Sequence, residues 1–156
     1  MEQPKIVFGK KMLFFVGAFF ISFLFLLFWN MRTPSSRDII LDGESLHVYI
    51  AQTIKEMYVG LGGREDLGGK DGMLFLYDYP GRHGIVMRQM QFPIDIVWLF
   101  EGRVVDIAPA VPTEPGASEY ELTSYHPRID ASMVLELPAG WAAKHDLQIG
   151  DILVIP

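Results

Sequence analysis

Hydrophobic residues are distributed unevenly along this chain, with one long uncharged stretch followed by many short apolar runs. The long stretch, residues 12–31 (MLFFVGAFFISFLFLLFWNM), contains only Ser22 and Asn30 as polar positions. Twenty residues of helix span ~30 Å, the thickness of the hydrocarbon core of a bilayer. Because the stretch is apolar on every side, the pattern predicts a single transmembrane helix at residues 12–31 rather than a buried core helix.

A cleavable signal peptide is the alternative for this stretch. Signal peptides have an apolar region of ~7–15 residues that ends at an A-x-A-like site. The run here is longer and WNMRTPSS offers no such site, so an uncleaved signal anchor is favoured. Three lysines lie in the tail at residues 1–11, while the two arginines after the span are partly offset by Asp38. The positive-inside rule then predicts a cell-membrane protein with a cytoplasmic N-terminus and an extracytoplasmic domain, joined by a linker at residues 32–38.

The remaining runs predict short strands. Residues 46–51 alternate as an amphipathic strand does, and Thr53 with Glu56 matches a capping box for a short helix that ends at Gly60. Further strands are predicted at residues 73–77, 85–87, 94–100, 103–111, 132–137 and 152–155, with a hairpin turn at Glu101-Gly102 and one or two helical turns within residues 140–145. Residues 39–156 are therefore predicted to be a mainly β domain, a compact sandwich or barrel with one or two short helices, preceded by the transmembrane helix.

Composition and charge exclude several classes of function. The 156 residues include no cysteine, which excludes disulfides, thiolate metal sites and a cysteine nucleophile. The histidines have no zinc-binding spacing, so neither a metal nor a cofactor is expected. The net charge is −6 overall, and residues 38–156 carry 8 basic and 18 acidic side chains. Such an acidic domain argues against a nucleic-acid partner.

Polar residues in and near the apolar stretch 71–100 are the candidates for a site. Arginine offers a planar fork of donors that suits carboxylates and phosphates. One interpretation is a small anionic-ligand site with Arg64 and Arg88 as clamps, beside Gln89, and with Asp71 and Asp95 orienting the clamps. The other, which is favoured, is an internal ion-pair set in which Asp95 is a buried carboxylate that accepts from loop N–H groups or an arginine.

His83 has two interpretations of its own. It could act as a general base with Asp71 or Asp78. The favoured interpretation is a solvated loop histidine beside Gly81 and Gly84.

The domain resembles DUF192 (also called UPF0127), a prokaryotic family of uncharacterised function. The matching segments are residues 50–61 with Arg64, 71–77, 86–99, 102–107 and 134–151. The resemblance implies a compact β-sandwich, often preceded by a signal or anchor. Two segments depart from the family pattern: residues 86–90 (VMRQM) replace a Trp-Met-Lys-Asn-Thr-like run, and residues 60–64 (GLGGR) lack the methionine of "GLM-x-R". A changed ligand and a lost site are both open for this region.

Two functions follow from these observations. The first is a membrane-anchored extracytoplasmic binding or accessory module with no catalytic residue, whose partners are the membrane and a small anionic ligand or envelope component. The alternative is a hydrolase acting on envelope material, with Asp71 and Asp95 as acid and base and the arginines as substrate clamps.

Overall fold

The structure is a computed structural model that describes residues 9–30 and 34–156. The chain divides into two compact units, residues 1–33 and 34–156. Most of the predicted cytoplasmic tail, the last residue of the predicted span and the first two residues of the predicted linker lie outside the described residues.

The first unit contains helix α1 (Lys10–Asn30). Phenylalanine side chains are exposed along it, including Phe19 and Phe23, whose rings stack with centroids 6.4 Å apart. Within the described residues, no helix combines the length and the apolar character needed to cross a membrane. The transmembrane helix at residues 12–31 therefore stays a prediction.

The second unit is built from nine strands and two short helices within residues 34–156. The elements are β1 (Ser36–Leu41), β2 (Glu44–Ala51), α2 (Ile54–Val59), β3 (Gly72–Gly81), β4 (Ile85–Val86), β5 (Ile94–Phe100), β6 (Arg103–Val111), β7 (Ser124–Tyr125), β8 (Ala131–Pro138), α3 (Trp141–Lys144) and β9 (Leu153–Val154). The predicted mainly β class is confirmed, and the apolar runs of the sequence coincide with β2, β3, β5, β6 and β8. Because β1 begins at Ser36, the end of the predicted linker belongs to a strand instead.

Seven of the strands form one curled sheet in the order β6-β5-β8-β3-β2-β1-β9. Its two edges meet at one end, where the N–H of Leu153 donates to the carbonyl of Gly102 at 2.7 Å and Arg103 pairs with Ile152. The sheet is thus a half-barrel rather than the two stacked sheets of the predicted sandwich. Strands β4 and β7 form a separate two-stranded sheet.

Strands β2 and β3 form a parallel pair. A parallel pair needs a crossover connection, which α2 and the loop after it supply here. The predicted capping box at the start of α2 is confirmed: Thr53 Oγ1 accepts from the N–H of Glu56 at 3.2 Å, and Glu56 Oε2 accepts from the N–H of Thr53 at 3.0 Å. The crossover brings the end of α2 and residues 60–64 over one face of the sheet.

Alternation along the strands gives the sheet two apolar faces. The face inside the curl includes Val104 on the edge strand β6, Leu153 on the other edge strand β9, and Leu41 on β1 beside it. The opposite face carries Phe75, Trp98 and Val134, which pack with Leu61 after α2 and with Met87 and Met90. Both faces are therefore covered, and the candidate site lies in the layer over the second face.

The hairpin of β5 and β6 contains the buried carboxylate of Asp95. The turn at Glu101 and Gly102 has φ of 50° and 76°, the left-handed pair that a two-residue hairpin requires. A β-bulge follows, with two residues of β6 opposite Asp95.

Asp95 is 0 % exposed, and its carboxylate accepts from the N–H groups of Ala110, Gly140 and Ala142 at 2.7, 3.0 and 2.8 Å. The prediction that Asp95 accepts from loop N–H groups is confirmed. One side chain thus joins the bulge of β6 to the start of α3.

We expect Asp95→Ala to lower the free energy of unfolding by on the order of 3 kcal/mol, because it leaves the buried N–H of Ala142 and the part-buried N–H groups of Ala110 and Gly140 without their acceptor. Urea denaturation of the full-length chain measures the effect. The control is Asp130→Ala at an exposed position, which should shift stability by less than ~0.5 kcal/mol. Equal stability of the two variants would contradict the assigned role of Asp95.

Candidate functional site

Two adjoining cavities lie beside the end of α2. The first, about 200 Å³, includes Met57, Phe75, Tyr77 and Glu136 in its lining and is called the Glu136 cavity. The second, about 240 Å³, includes Gln89, Ala117, Glu119 and Leu122 and is called the Glu119 cavity. Tyr58, Val59 and Arg88 line both. Arg88 therefore lies at the junction of the two spaces.

The turn at residues 87–90 is held in place by the loop after α2. The N–H of Gly63 donates to the carbonyl of Gln89 at 2.8 Å, and Gln89 has a left-handed φ of 52°. A Cβ at Gly62 would lie 2.5 Å from the carbonyl oxygen of Arg88. Only glycine allows this approach, so Gly62 sets how closely the Arg88 turn packs against the crossover.

The guanidinium of Arg88 is held by three groups. Its Nε donates to Glu119 at 2.8 Å and its Nη2 also pairs with that carboxylate, while Nη1 donates to the carbonyl of Tyr58 at 2.7 Å. The guanidinium carbon lies 4.0 Å from the centre of the Tyr58 ring. The hydrogen bonds from Arg88 lower the pKa of Glu119, and those to Glu119 raise the pKa of Arg88. Arg88 thus already presents its fork to a carboxylate.

Glu136 is a buried carboxyl in the middle of the sheet. It lies on β8 opposite Met73 of β3 and Ile96 of β5, and it is 5 % exposed. Its Oε2 is the one buried side-chain polar atom in the described residues without a hydrogen-bond partner. Burial raises the pKa of Glu136 to about 8. Burial also raises the pKa of Tyr77 to about 12, and the nearby Glu136 adds to that shift.

The other buried carboxylates are fully engaged. Asp106 accepts from the guanidinium of Arg128 at 2.7 Å and from the N–H groups of Ile107 and Arg128 at 2.9 and 2.7 Å. Asp95 has the three donors described above. Both are explained by the fold alone. Glu136 is not explained by the fold alone, because a buried polar atom without a hydrogen-bond partner lowers the stability of the fold and no neighbouring group compensates for that loss.

The structure separates the residues that the sequence grouped together. Arg88 and Gln89 share the Glu119 cavity, but none of Arg64, Asp71 and Asp95 lines either cavity.

Two of the separated residues have partners elsewhere. The guanidinium of Arg64 lies 4.4 Å from the centre of the Tyr49 ring, and Asp71 Oδ2 accepts from the N–H of His47 at 2.7 Å. The predicted five-residue site is therefore not one cluster.

The histidine prediction needs a correction. His83 lies in the loop between β3 and β4, as predicted, but it is half-buried rather than fully solvated: its ring stacks on Tyr77 with centroids 3.6 Å apart and its Nε2 lies 2.9 Å from the carbonyl of Tyr79. The backbone carbonyl of His83 accepts a hydrogen bond from Trp98 Nε1 at 3.0 Å. His83 therefore braces Tyr77 beside the Glu136 cavity.

Sequence reasoning missed Glu136, Tyr58 and Glu119. A signal existed for Glu136, because in SMVLEL (residues 132–137) it follows Val134 by two positions and must share its buried face. The same reasoning singled out Asp95. Glu119 gave no such signal, since it lies in an irregular segment without periodicity.

Comparisons with known proteins place the domain in a family. The fold is a curled β half-barrel with a parallel crossover and a cavity at that crossover. The chain belongs to DUF192, described as an uncharacterized ACR, whose family model matches residues 38–155. No curated protein showed a match.

Solved structures share this fold. A protein of unknown function from Novosphingobium aromaticivorans is 26 % identical with a TM-score of 0.67, covering 78 % of this chain and 86 % of its own. A protein from Sinorhizobium meliloti, proposed to be a transcription regulator, is 23 % identical with a TM-score of 0.69, covering 80 % of this chain and 96 % of its own. The second likeness concerns the fold alone.

We predict that Glu136 makes stability depend on pH. Its pKa rises from 4.5 to about 8 on folding, so the folded state binds this proton more tightly. Its contribution is fully present below about pH 4.5 and is lost as the pH rises toward 8, at up to ~1.4 kcal/mol per pH unit. Tyr77 and Arg88, which line the same cavity, have raised pKa values and do not titrate in this window.

Urea denaturation of the wild type and Glu136→Gln between pH 5 and 8.5 measures this effect. The variant should gain stability relative to the wild type across the interval. Parallel pH profiles for the two proteins would show that Glu136 does not hold its proton.

Proposed function

We propose that this chain is a non-catalytic binding module, tethered to a membrane, that holds a small ligand by a carboxylate on Arg88. The observation that supports it best is the position of Arg88, whose fork engages a carboxylate at the junction of two cavities. Bidentate pairing of arginine with a carboxylate gives both strength and orientation.

Arg88 is preorganised for this task. The Tyr58 ring and carbonyl fix the guanidinium from one side, so a ligand does not have to order a mobile side chain. Its present partner, Glu119, has a side chain that is 47 % exposed. Water can therefore solvate the Glu119 carboxylate when a ligand carboxylate replaces it on Arg88, which reduces the free-energy cost of the exchange.

The positions of the acidic residues favour binding over hydrolysis. The hydrolase alternative needs two carboxylates that flank one scissile bond, ~5–10 Å apart in an open cleft. Asp95 is buried and already accepts three N–H groups, and Asp71 does not line either cavity. A binding module is consistent with both positions.

Arg88→Ala tests the ligand class. Valerate is the probe, with heat of binding measured by titration calorimetry on the full-length chain in detergent. We expect the wild type to bind it and Arg88→Ala to lose at least ~10-fold in affinity, about 1.4 kcal/mol. Arg37→Ala, at an exposed position on β1, is the matched control and should bind as the wild type does. Equal binding by both variants, or a wild type that binds neither valerate nor any other carboxylate probe, would refute the proposed carboxylate site.

Membrane attachment is the second part of the proposal, and it rests on the sequence of residues 12–31. Those residues carry no charge, and three lysines precede them. An extracytoplasmic domain fixed near the membrane surface would meet small solutes or envelope components outside the cytoplasm.

Carbonate extraction and protease treatment of spheroplasts test this placement. The full-length chain should remain with the membranes, and protease added outside should digest residues 34–156. A variant that begins at residue 34 is the control and should leave the membrane fraction. Release of the full-length chain by carbonate would refute the anchor, and protection from external protease would refute the orientation.

A further inference from the structure

This inference rests on the proposed carboxylate site and specifies the chemical class of its ligand. We infer that the ligand is a zwitterion, a short aliphatic amino acid whose carboxylate binds Arg88 and whose ammonium binds Glu136. The two side chains line one cavity of about 200 Å³, a space that suits a small molecule. Arg88 is the one cation and Glu136 the one acidic side chain among the residues lining it.

Glu136 supplies the acidic half of this arrangement. Its Oε2 has no partner, although Asp95 on the adjacent strand β5 and Asp106 on β6 are each satisfied by several donors. Folded proteins pair almost all buried polar atoms, and the exceptions call for a physical cause. A ligand that donates hydrogen bonds at this place provides that cause, because an ammonium carries three N–H donors.

The rest of the lining suits an aliphatic stem between two charged ends. Phe75 is 2 % exposed and Tyr77 is partly buried, so both present aromatic surface to the cavity. Met57 and Met90 add adaptable apolar surface. Aromatic faces also attract a cation that has left water.

The charges at the two sides of the cavity disfavour simpler ligands. An anion without an amine would leave Glu136 unpartnered. An amine without a carboxylate would leave Glu119 on Arg88 and gain only one of the two charged contacts. A zwitterion satisfies both groups, and each group repels the wrong end of the ligand, which fixes its orientation.

Binding should also move a proton. The empty cavity keeps Glu136 largely protonated at neutral pH, because burial raises its pKa to about 8. An adjacent ammonium favours the ionised carboxylate, so the proton leaves to solvent as the ligand binds. Tyr77, whose pKa is near 12, remains protonated throughout.

Three matched probes separate the contributions of the two ends. 5-Aminovalerate carries both charged groups, valerate lacks the ammonium and butylamine lacks the carboxylate. 4-Aminobutyrate and 6-aminohexanoate vary the length of the stem. Calorimetric titration of the full-length chain should show the best amino acid of this series binding at least ~10-fold more tightly than valerate or butylamine.

Glu136→Gln should abolish this advantage and leave the affinity for valerate within about twofold of the wild type. Glu65→Gln, at an exposed position outside both cavities, is the matched control and should keep the advantage. Titration at pH 7 in two buffers of different ionisation enthalpy reports proton release. The wild type should release a proton with an amino acid, and Glu136→Gln should release none.

The possible results distinguish the carboxylate site on Arg88 from the zwitterion ligand. If valerate binds through Arg88 but no amino acid binds more tightly, the zwitterion inference is overturned and the carboxylate site stands. Unchanged amino-acid binding by Glu136→Gln overturns it as well. If no probe binds the wild type, the carboxylate site fails and the zwitterion inference fails with it.

Discussion

A buried polar group needs a partner, and in this domain one buried carboxylate, Asp95, joins two distant chain segments by accepting three of their N–H groups. Asp95 accepts from the N–H of Ala110 in the bulge of β6 and from the N–H groups of Gly140 and Ala142 at the start of α3. Without it, the buried N–H of Ala142 and the part-buried N–H groups of the bulge and of the turn before α3 would lose their acceptor. The path of the chain from β8 into the C-terminal segment therefore depends on a side chain in β5.

Glu136 lies on the adjacent strand, and there the same requirement is unmet. Strand β8 is paired on both sides, by β3 and by β5, so the backbone around Glu136 is among the most firmly held in the sheet. A central strand of this kind can keep a destabilising side chain buried, whereas an edge strand would let that side chain reach solvent. Costs of this kind concentrate at functional sites, where the surrounding structure holds a group in an unfavourable state. Burial raises the pKa of Glu136 to about 8, and in the proposed complex its carboxylate is the counterion of the ligand ammonium.

Much of the fold was predictable because its signals are local. Alternation of residue types located β2 and β8, the pair Thr53 and Glu56 located the start of α2, and Glu101-Gly102 located a hairpin. Strand β1 was missed because SRDIIL begins with polar residues that face solvent at the edge of the linker. The barrel alternative allowed for a curled sheet, but the contacts that close it, between residues 102–103 and 152–153, were not predictable because no local pattern encodes them.

The site was less predictable, because it is assembled from distant positions. Arg88 was singled out from its sequence context, but its partners Tyr58 and Glu119 are 30 and 31 positions away. Glu136 reaches the same cavity from a different strand, and only the folded sheet brings it there. Charged side chains in or near apolar runs indicated which residues needed an explanation. It could not indicate that Arg64, Asp71 and Asp95 would find separate partners.

The departures from the DUF192 pattern bear on whether this region has lost its site or changed its ligand. They fall in residues 60–64 and 86–90, which touch: Gly62 stands at the position of the family's methionine, and any Cβ there would lie 2.5 Å from the carbonyl of Arg88. A side chain at position 62 would push away the turn that carries Arg88. In this chain the two segments are therefore parts of one physical arrangement, because glycine at position 62 lets the Arg88 turn approach the crossover. That approach places Arg88 at the junction of the two cavities, which supports the carboxylate site proposed above over a lost site.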